Sequence, residues 1–354
     1  MPAAKGIFGA TKTHCHGIPA VATIKDIARQ LNVATSTVSR ALHNNRSIGL
    51  RMRLKVQQLA RELEYQPNQH AIAFRERKSH IIGLIIPNLR EHFFSEAISA
   101  VENLAMQHQY QVLIGQSHDE VLREQRIVEA MKKQRVDGLL VSLSKQTLQY
   151  DHFLALQNLQ IPVVFFDRVP NRPDVHKVYF NMESGTRQAL DHLLAAGHRR
   201  IALLNGPECM PSTIERTEAY KAILKSRQIR VDKSLIASTD LTRETTFRAM
   251  EVILSRKPAP TAILTMNDYV ALDVIQYINR AGLQLHKDIT VISYANLPIT
   301  NYLQSPPLAS VEQYPYQQGE SAAALLLDLL NRKDTPRARQ VIIEGKLVVH
   351  KPYH

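Results

Sequence analysis

The sequence contains no tryptophan and only two cysteines, Cys15 and Cys209. Two thiols cannot make the disulfide framework of a small secreted scaffold. No stretch approaches the roughly 20 consecutive apolar residues that a membrane-spanning helix needs. The first twenty residues, MPAAKGIFGATKTHCHGIPA, hold no apolar run fit for a secretory signal. A cytoplasmic protein with no membrane association is the expectation. Also missing are G-x-G-x-x-G, G-x-x-x-x-G-K-[ST], G-x-S-x-G and H-E-x-x-H, so dinucleotide, P-loop, hydrolase and zincin chemistry have no anchor. His14-Cys15-His16 is one cluster without two further spaced ligands, which is too little for a metal site. Neither enzyme activity, a cofactor nor a metal is expected.

What is present is a long, ordinary globular composition with a misplaced charge. At 354 residues, 44% hydrophobic and 21% charged, the chain can build two or three domains with well-buried cores. Its net charge is +12, from 44 Lys+Arg against 32 Asp+Glu, and the excess is not spread evenly. Residues 1–80 carry 13 of the bases and 4 of the acids, a net of +9. A cationic first quarter favours a polyanionic partner if a binding motif lies behind it.

Such a motif is legible from residue 22. Thr23-Ile-Lys-Asp26 is a capping-box variant, with an acid where the positive end of a helix dipole favours one. Ile24, Ile27, Ala28 and Leu31 then follow as one apolar stripe until Asn32-Val33 interrupts it. A second stripe, Val38, Ala41 and Leu42, has Thr35, Ser36, Thr37, Ser39 and Arg40 on the opposite face, polar without being acidic. A third, Val56, Leu59, Ala60 and Leu63, runs among Arg51, Arg53, Lys55 and Arg61 and ends at Tyr65-Gln-Pro67. Two short helices joined by a tight turn, the second with hydroxyls and an Arg outward, suit insertion into a major groove.

The run TIKDIARQLNVATSTVSRAL, the segment Arg51 to Glu64 and YQPN resemble the headpiece of the lactose-repressor/galactose-repressor (LacI/GalR) family of bacterial transcription regulators. The resemblance implies base reading by Thr35, Ser36 and Arg40. It implies phosphate or helix-positioning roles for Thr23, Lys25, Thr37 and Ser39. Ala34 departs from the family's usual Ser as cap of the recognition helix, so either Thr35 replaces it or the helix end is looser. Gly49 similarly stands where a capping residue is common. Residues 1–21 read as a disordered arm, 22–68 as the headpiece and 69–80 as a hinge and linker. NQHAIAFR, residues 68–75, is too short to stay helical alone and should order only on a partner. In the family this segment folds on DNA and wedges the minor groove. That role would fall to Phe74, with Asn68, Ala71 and Arg75 beside it, although Phe74 packing against the following domain is the alternative.

Residues 81–354 alternate apolar runs with helical stripes: IIGLII, QVLIG, VDGLLVSL and PVVFF, then a restart with VYFN, RIALLNG, LIAS, TAILTMND and ITVISY. This predicts a two-lobed α/β body with parallel sheets, its ligand cleft at the carboxyl ends of the strands. The lobes are expected at about 81–178 with 313–340, and at about 179–312 with 341–354. The resemblance continues through SHIIGLIIPN, VFFDR, AAGHRRIALLNGP and MNDYVALDVIQ. It implies a periplasmic-binding-protein-like effector domain with Asp167, Arg216 and Asn267 at the cleft, and Asn296, at the strand end after ITVISY, is read as a further cleft residue. Where the family usually reads Gly-Phe-Asp-Asp, this chain has Ser293-Tyr294-Ala295-Asn296. The lost carboxylate should leave the cleft more electropositive, suiting a phosphorylated sugar or another acidic metabolite, or no ligand at all.

The resulting expectation is a homodimeric regulator of transcription that binds duplex DNA at a pseudo-palindromic operator and answers to a small effector. A solute-binding protein of a transport system is the alternative for the large domain alone. The amino-terminal helices and the missing export signal speak against it.

Overall fold

The structure, a computed structural model, describes residues 22–66, 78–332 and 337–350. The arm with His14-Cys15-His16 and the hinge positions Asn68, Ala71, Phe74 and Arg75 lie outside the described residues. The chain divides into two compact units, Met1–Lys78 and Ser79–His354.

In the first unit, α1 (Ile24–Gln30), α2 (Thr35–Leu42) and α3 (Leu50–Glu62) fall where the apolar stripes place them. The three stripes meet in one small core, in which Ile27, Val38 and Val56 are wholly buried. Each such side chain contributes about 1.5–3 kcal/mol relative to an exposed position. Both the Thr23 amide (2.9 Å) and the Thr23 hydroxyl (2.6 Å) donate to the Asp26 carboxylate, closing the start of α1. Ala34 and Gly49 are the N-caps of α2 and α3, and neither end has a side-chain cap. The loss of the usual capping residue before α2 is therefore not made good by Thr35.

The second unit holds two six-stranded sheets. The first is built from β1 (Ile81–Ile86), β2 (Gln111–Gln116), β3 (Gly138–Val141), β4 (Val163–Phe166), β5 (His176–Phe180) and β11 (Gln340–Ile343). Its strand order is β11-β5-β4-β3-β1-β2, all parallel. The second contains β6 (Ile201–Asn205), β7 (Ile236–Ser238), β8 (Ala262–Thr265), β9 (Thr290–Tyr294), β10 (Ala309–Glu312) and β12 (Lys346–Val349) in the order β12-β10-β9-β8-β6-β7, with only β12 antiparallel to its neighbour. The central strands GLLV, VVFF and AILT are buried along their whole length. Helices cover both faces of each sheet, which is why these strands read as continuous apolar runs. The helices are α4 (His92–Gln107), α5 (Val121–Lys133), the short α6 (Asp151–Leu154) and α11 (Pro315–Asn331) on the first lobe. On the second they are α7 (Met182–Ala195), α8 (Pro211–Ser226), α9 (Arg243–Leu254) and α10 (Asp268–Arg280).

Two lobe assignments differ from the sequence reading. VYFN was expected to open the second lobe, yet β5 pairs with β4 and completes the first sheet. Residues 341–343 were expected in the second lobe, yet β11 pairs with β5. An apolar run announces a strand but says nothing about which sheet receives it. The chain consequently passes between the sheets three times, after β5, after β10 and between β11 and β12.

The first lobe is closed by α11 lying against α4, an approach that depends on Gly319. A methyl group there would run into the Ala97 backbone, its carbonyl oxygen first, which cannot yield as a flexible side chain would. Gly319→Ala should therefore destabilise the body by about 1–3 kcal/mol, the usual cost of overpacking. Urea denaturation checks this, and a variant as stable as the parent would contradict it.

Candidate functional site

Two surfaces carry the candidate functional residues, one on each unit. On the first unit, the outward face of α2 leaves Thr35, Ser36 and Arg40 exposed, with Thr37 and Ser39 half-buried at its margins. Val38 and Ala41 turn inward, so one short amphipathic helix both anchors itself and offers hydroxyls and a guanidinium. Lys25 and Arg29 are exposed on α1, and Arg29 lies 3.6 Å from Asp26. Thr23 is exposed with its hydroxyl committed to Asp26, which fits a helix-positioning role better than a free contact.

On the second unit, a cleft of about 380 Å³ lies between the lobes at the carboxyl ends of the parallel strands. Its first-lobe wall comes from the turn after β1 and the start of α4 (Asn88, Glu91, Phe93, Phe94) and from the turn after β4 (Asp167, Arg168). Its second-lobe wall comes from the start of α8 (Ser212, Glu215, Arg216), the start of α10 (Asn267, Tyr269) and Ala295 beyond β9.

Arg216 is 1% exposed. Its Nη1 donates to Asn205 Oδ1 at 2.7 Å and lies 2.8 Å from the Met266 sulfur, while the guanidinium stacks 4.3 Å from the centre of the Tyr294 ring. Its Nε has no hydrogen-bond partner, and no carboxylate among the described residues lies within ion-pair distance. Burial pulls its pKa down. Asn205 fixes this arrangement by donating its own amide to the Thr213 carbonyl (2.9 Å) and to Thr217 Oγ1 (3.0 Å).

Asp167 follows β4 in a left-handed conformation, φ 58°, that is uncommon outside glycine. It accepts from Ser142 Oγ at 3.0 Å. Burial pushes its pKa up to about 6, against the opposing pull of Arg168. Arg168 directs Nη1 to Asp119 at 2.6 Å and stands 4.0 Å from both Glu91 and Asp167. Burial raises the Glu91 carboxyl as well. Glu215, also raised by burial, is held chiefly by Lys177 and then by Arg216.

Three of the four expected cleft residues, Asp167, Arg216 and Asn267, line the cavity. Asn267 spends its Oδ1 on the cap of α10, accepting from the Val270 amide at 2.9 Å. Asn296 is a correction: it is not part of the cleft lining, and its amide donates to Glu312 at 2.8 Å while Ala295 faces the cavity. The altered Ser293-Tyr294-Ala295-Asn296 run is built into the lobe. Ser293 donates to the buried Asp268, and the Tyr294 hydroxyl meets Thr186 Oγ1 at 2.7 Å. The expected electropositive cleft is a second correction, since Glu91, Asp167 and Glu215 supply carboxylates from other positions. Sequence reasoning missed Glu91, Glu215 and Tyr269 because it examined strand ends and, beyond them, Arg216 alone. The first two turns of the helices after β1, β6 and β8 reach the same cleft, and that positional rule would have found them.

Comparisons with known proteins find matches for both units. Residues 79–351 match the family described as periplasmic binding proteins and sugar binding domain of LacI family, and residues 23–68 match bacterial regulatory proteins, lacI family. The transcriptional repressor CytR of Escherichia coli (strain K12) is 32% identical over 87% of this chain and 89% of its own length. The transcriptional repressor PurR of Vibrio atlanticus (strain LGP32) is 30% identical over 89% of this chain and 93% of its own length. Among solved structures, the Lac repressor dimer bound to operator and the anti-inducer ONPF is 27% identical, with a TM-score of 0.81 over 94% of this chain and 98% of that one. No helix among the described residues is long and apolar enough to cross a membrane.

The raised pKa of Asp167 has a consequence for stability. The folded state holds this proton more tightly than the unfolded state, whose value is 3.8. Its contribution is therefore full below 3.8 and is lost as the pH rises through about 6. Asp167→Asn should remove that loss, so the difference in stability between variant and parent should grow by up to about 3 kcal/mol across this window. Chemical denaturation at a series of pH values checks it, and a constant difference would contradict it.

Proposed function

This chain belongs to the LacI family of bacterial regulatory proteins, and on that premise we propose how it works as a DNA-binding, effector-controlled transcriptional repressor. The observation that carries the reading is the exposed, acid-free face of α2 on a unit separate from a body with a ligand cleft. Thr35, Ser36 and Arg40 read base edges in the major groove, and Lys25, Thr37 and Ser39 contact phosphates or support the helix. Asn68, Ala71, Phe74 and Arg75 form the hinge that orders on DNA, with Phe74 as a minor-groove wedge. The active form is a homodimer on a pseudo-palindromic site. Exposed Met106, Leu113, Ile114 and Leu122 around the edge strand β2 support association through the first lobe.

The effector carries an acidic group, such as a phosphate, that pairs with Arg216. The buried guanidinium, with its unpartnered Nε and no carboxylate within ion-pair distance, supports this reading. A ligand that touches both walls favours one lobe closure and changes DNA affinity by the coupling free energy, about 1–3 kcal/mol in comparable systems. A solute-binding role for transport would leave the cationic first unit without a task.

Arg40→Ala should cost about 1–3 kcal/mol on the specific site and little on random DNA, whereas Lys25→Ala should weaken both alike. Fluorescence anisotropy across salt concentrations checks this, and equal losses for both variants on both DNAs would refute the division of roles. Arg216→Ala should sharply reduce the thermal stabilisation given by a phosphorylated sugar, a ligand that at 100 times its Kd adds about 2.7 kcal/mol. Retention of the shift would remove Arg216 from the site.

A further inference from the structure

Across the cleft the two walls carry opposite electrostatic deficits. On the first-lobe wall, Glu91, Asp119 and Asp167 surround the single guanidinium of Arg168, with Lys145 beside Glu91. Arg168 gives its direct hydrogen bond to Asp119 and stays 4.0 Å from the other two carboxylates. Asp167 is left with one neutral donor, Ser142, and Glu91 with Asn88. Both carboxylates line the cavity and both are raised by burial, so as anions they are under-compensated. On the second-lobe wall the deficit is reversed, because Arg216 is buried without an ion-pair partner and Glu215 beside it is held first by Lys177. A uniformly anionic ligand would satisfy Arg216 and worsen the first-lobe wall. A neutral polyol would supply donors to the carboxylates and leave Arg216 without a charge.

We propose that the effector is zwitterionic, with a protonated amine against Asp167 and Glu91 and its acidic group against Arg216. This rests on the Arg216 reading above and adds the opposite pole. Each end of such a ligand belongs to a different lobe, so binding joins the two walls by charge-assisted hydrogen bonds at both ends. The ligand itself then becomes the contact that distinguishes a closed from an open cleft.

A square of four probes separates the two halves of the proposal: glucose, glucosamine, glucose 6-phosphate and glucosamine 6-phosphate, titrated into the full-length protein by calorimetry. The phosphate axis tests Arg216 and the amine axis tests Asp167 with Glu91. Glucosamine 6-phosphate should bind at least about tenfold more tightly than glucose 6-phosphate, the effect of one added charge-assisted hydrogen bond. That preference should vanish in Asp167→Asn, a substitution well suited to the left-handed backbone at this position, and shrink in Glu91→Gln. Arg216→Ala should weaken both phosphates and keep the amine preference. Equal binding of the two phosphates, or an amine preference that survives Asp167→Asn together with Glu91→Gln, overturns the zwitterion while leaving the Arg216 reading in place. A preference for glucosamine over glucose with no gain from phosphate overturns the Arg216 reading instead. Absence of binding by all four overturns both.

Discussion

A guanidinium taken out of water needs a carboxylate paired with it or a ligand to complete it, and the hydrogen-bond and stacking partners of Arg216 are all neutral. Much of the second lobe is arranged around that fact. Asn205, at the end of β6, spends one side of its amide on Thr213 and Thr217 and the other on Arg216. Tyr294 occupies the position where the family resemblance leads one to expect Phe, and it offers its ring face to the cation and its hydroxyl to Thr186. The lobe thus carries a positive charge that it stabilises only partly. That is a poor device for stability and a good one for making the lobe sensitive to what enters the cleft.

The connection between cleft and DNA is built from topology. Three passages of the chain between the two sheets place the ends of β4, β5, β6, β8 and β9 around one cavity, so a bound molecule touches both lobes at once. The DNA-reading surface lies on a separate unit with its own core of Ile27, Val38 and Val56. Each unit has its own hydrophobic core. Under the proposed function, coupling between them passes through the segment that joins them. Coupling of a few kcal/mol at most is enough, because each 1.4 kcal/mol changes an affinity tenfold.

The headpiece was almost wholly legible in the sequence because its information is local. Helical stripes of three or four apolar residues, a capping box at Thr23 and a break at Asn32-Val33 fix α1 to α3 without reference to distant residues. The strands of the body were legible for a similar reason: buried on both faces, they read as unbroken apolar runs. Sheet membership was not, since β5 and β11 carry no mark of the neighbour they pair with. At the cleft, Asp167 and Arg216 could be named from the resemblance, but the electrostatic balance could not. It depends on Glu91 and Glu215, which reach the cavity from helix starts, and on Asn296 turning away to Glu312. Charge in a cleft is a sum over elements far apart in the chain, and no single motif reports it.

The central claim is sequence-specific recognition of DNA by a two-fold assembly, and the most direct measurement is an unbiased selection of binding sites from random duplexes by the purified full-length protein. The account predicts enrichment of one pseudo-palindromic motif, whose half-sites are read by the two copies of α2. Recovery of no motif after repeated rounds, or of a single asymmetric half-site bound as tightly as any longer sequence, would contradict it.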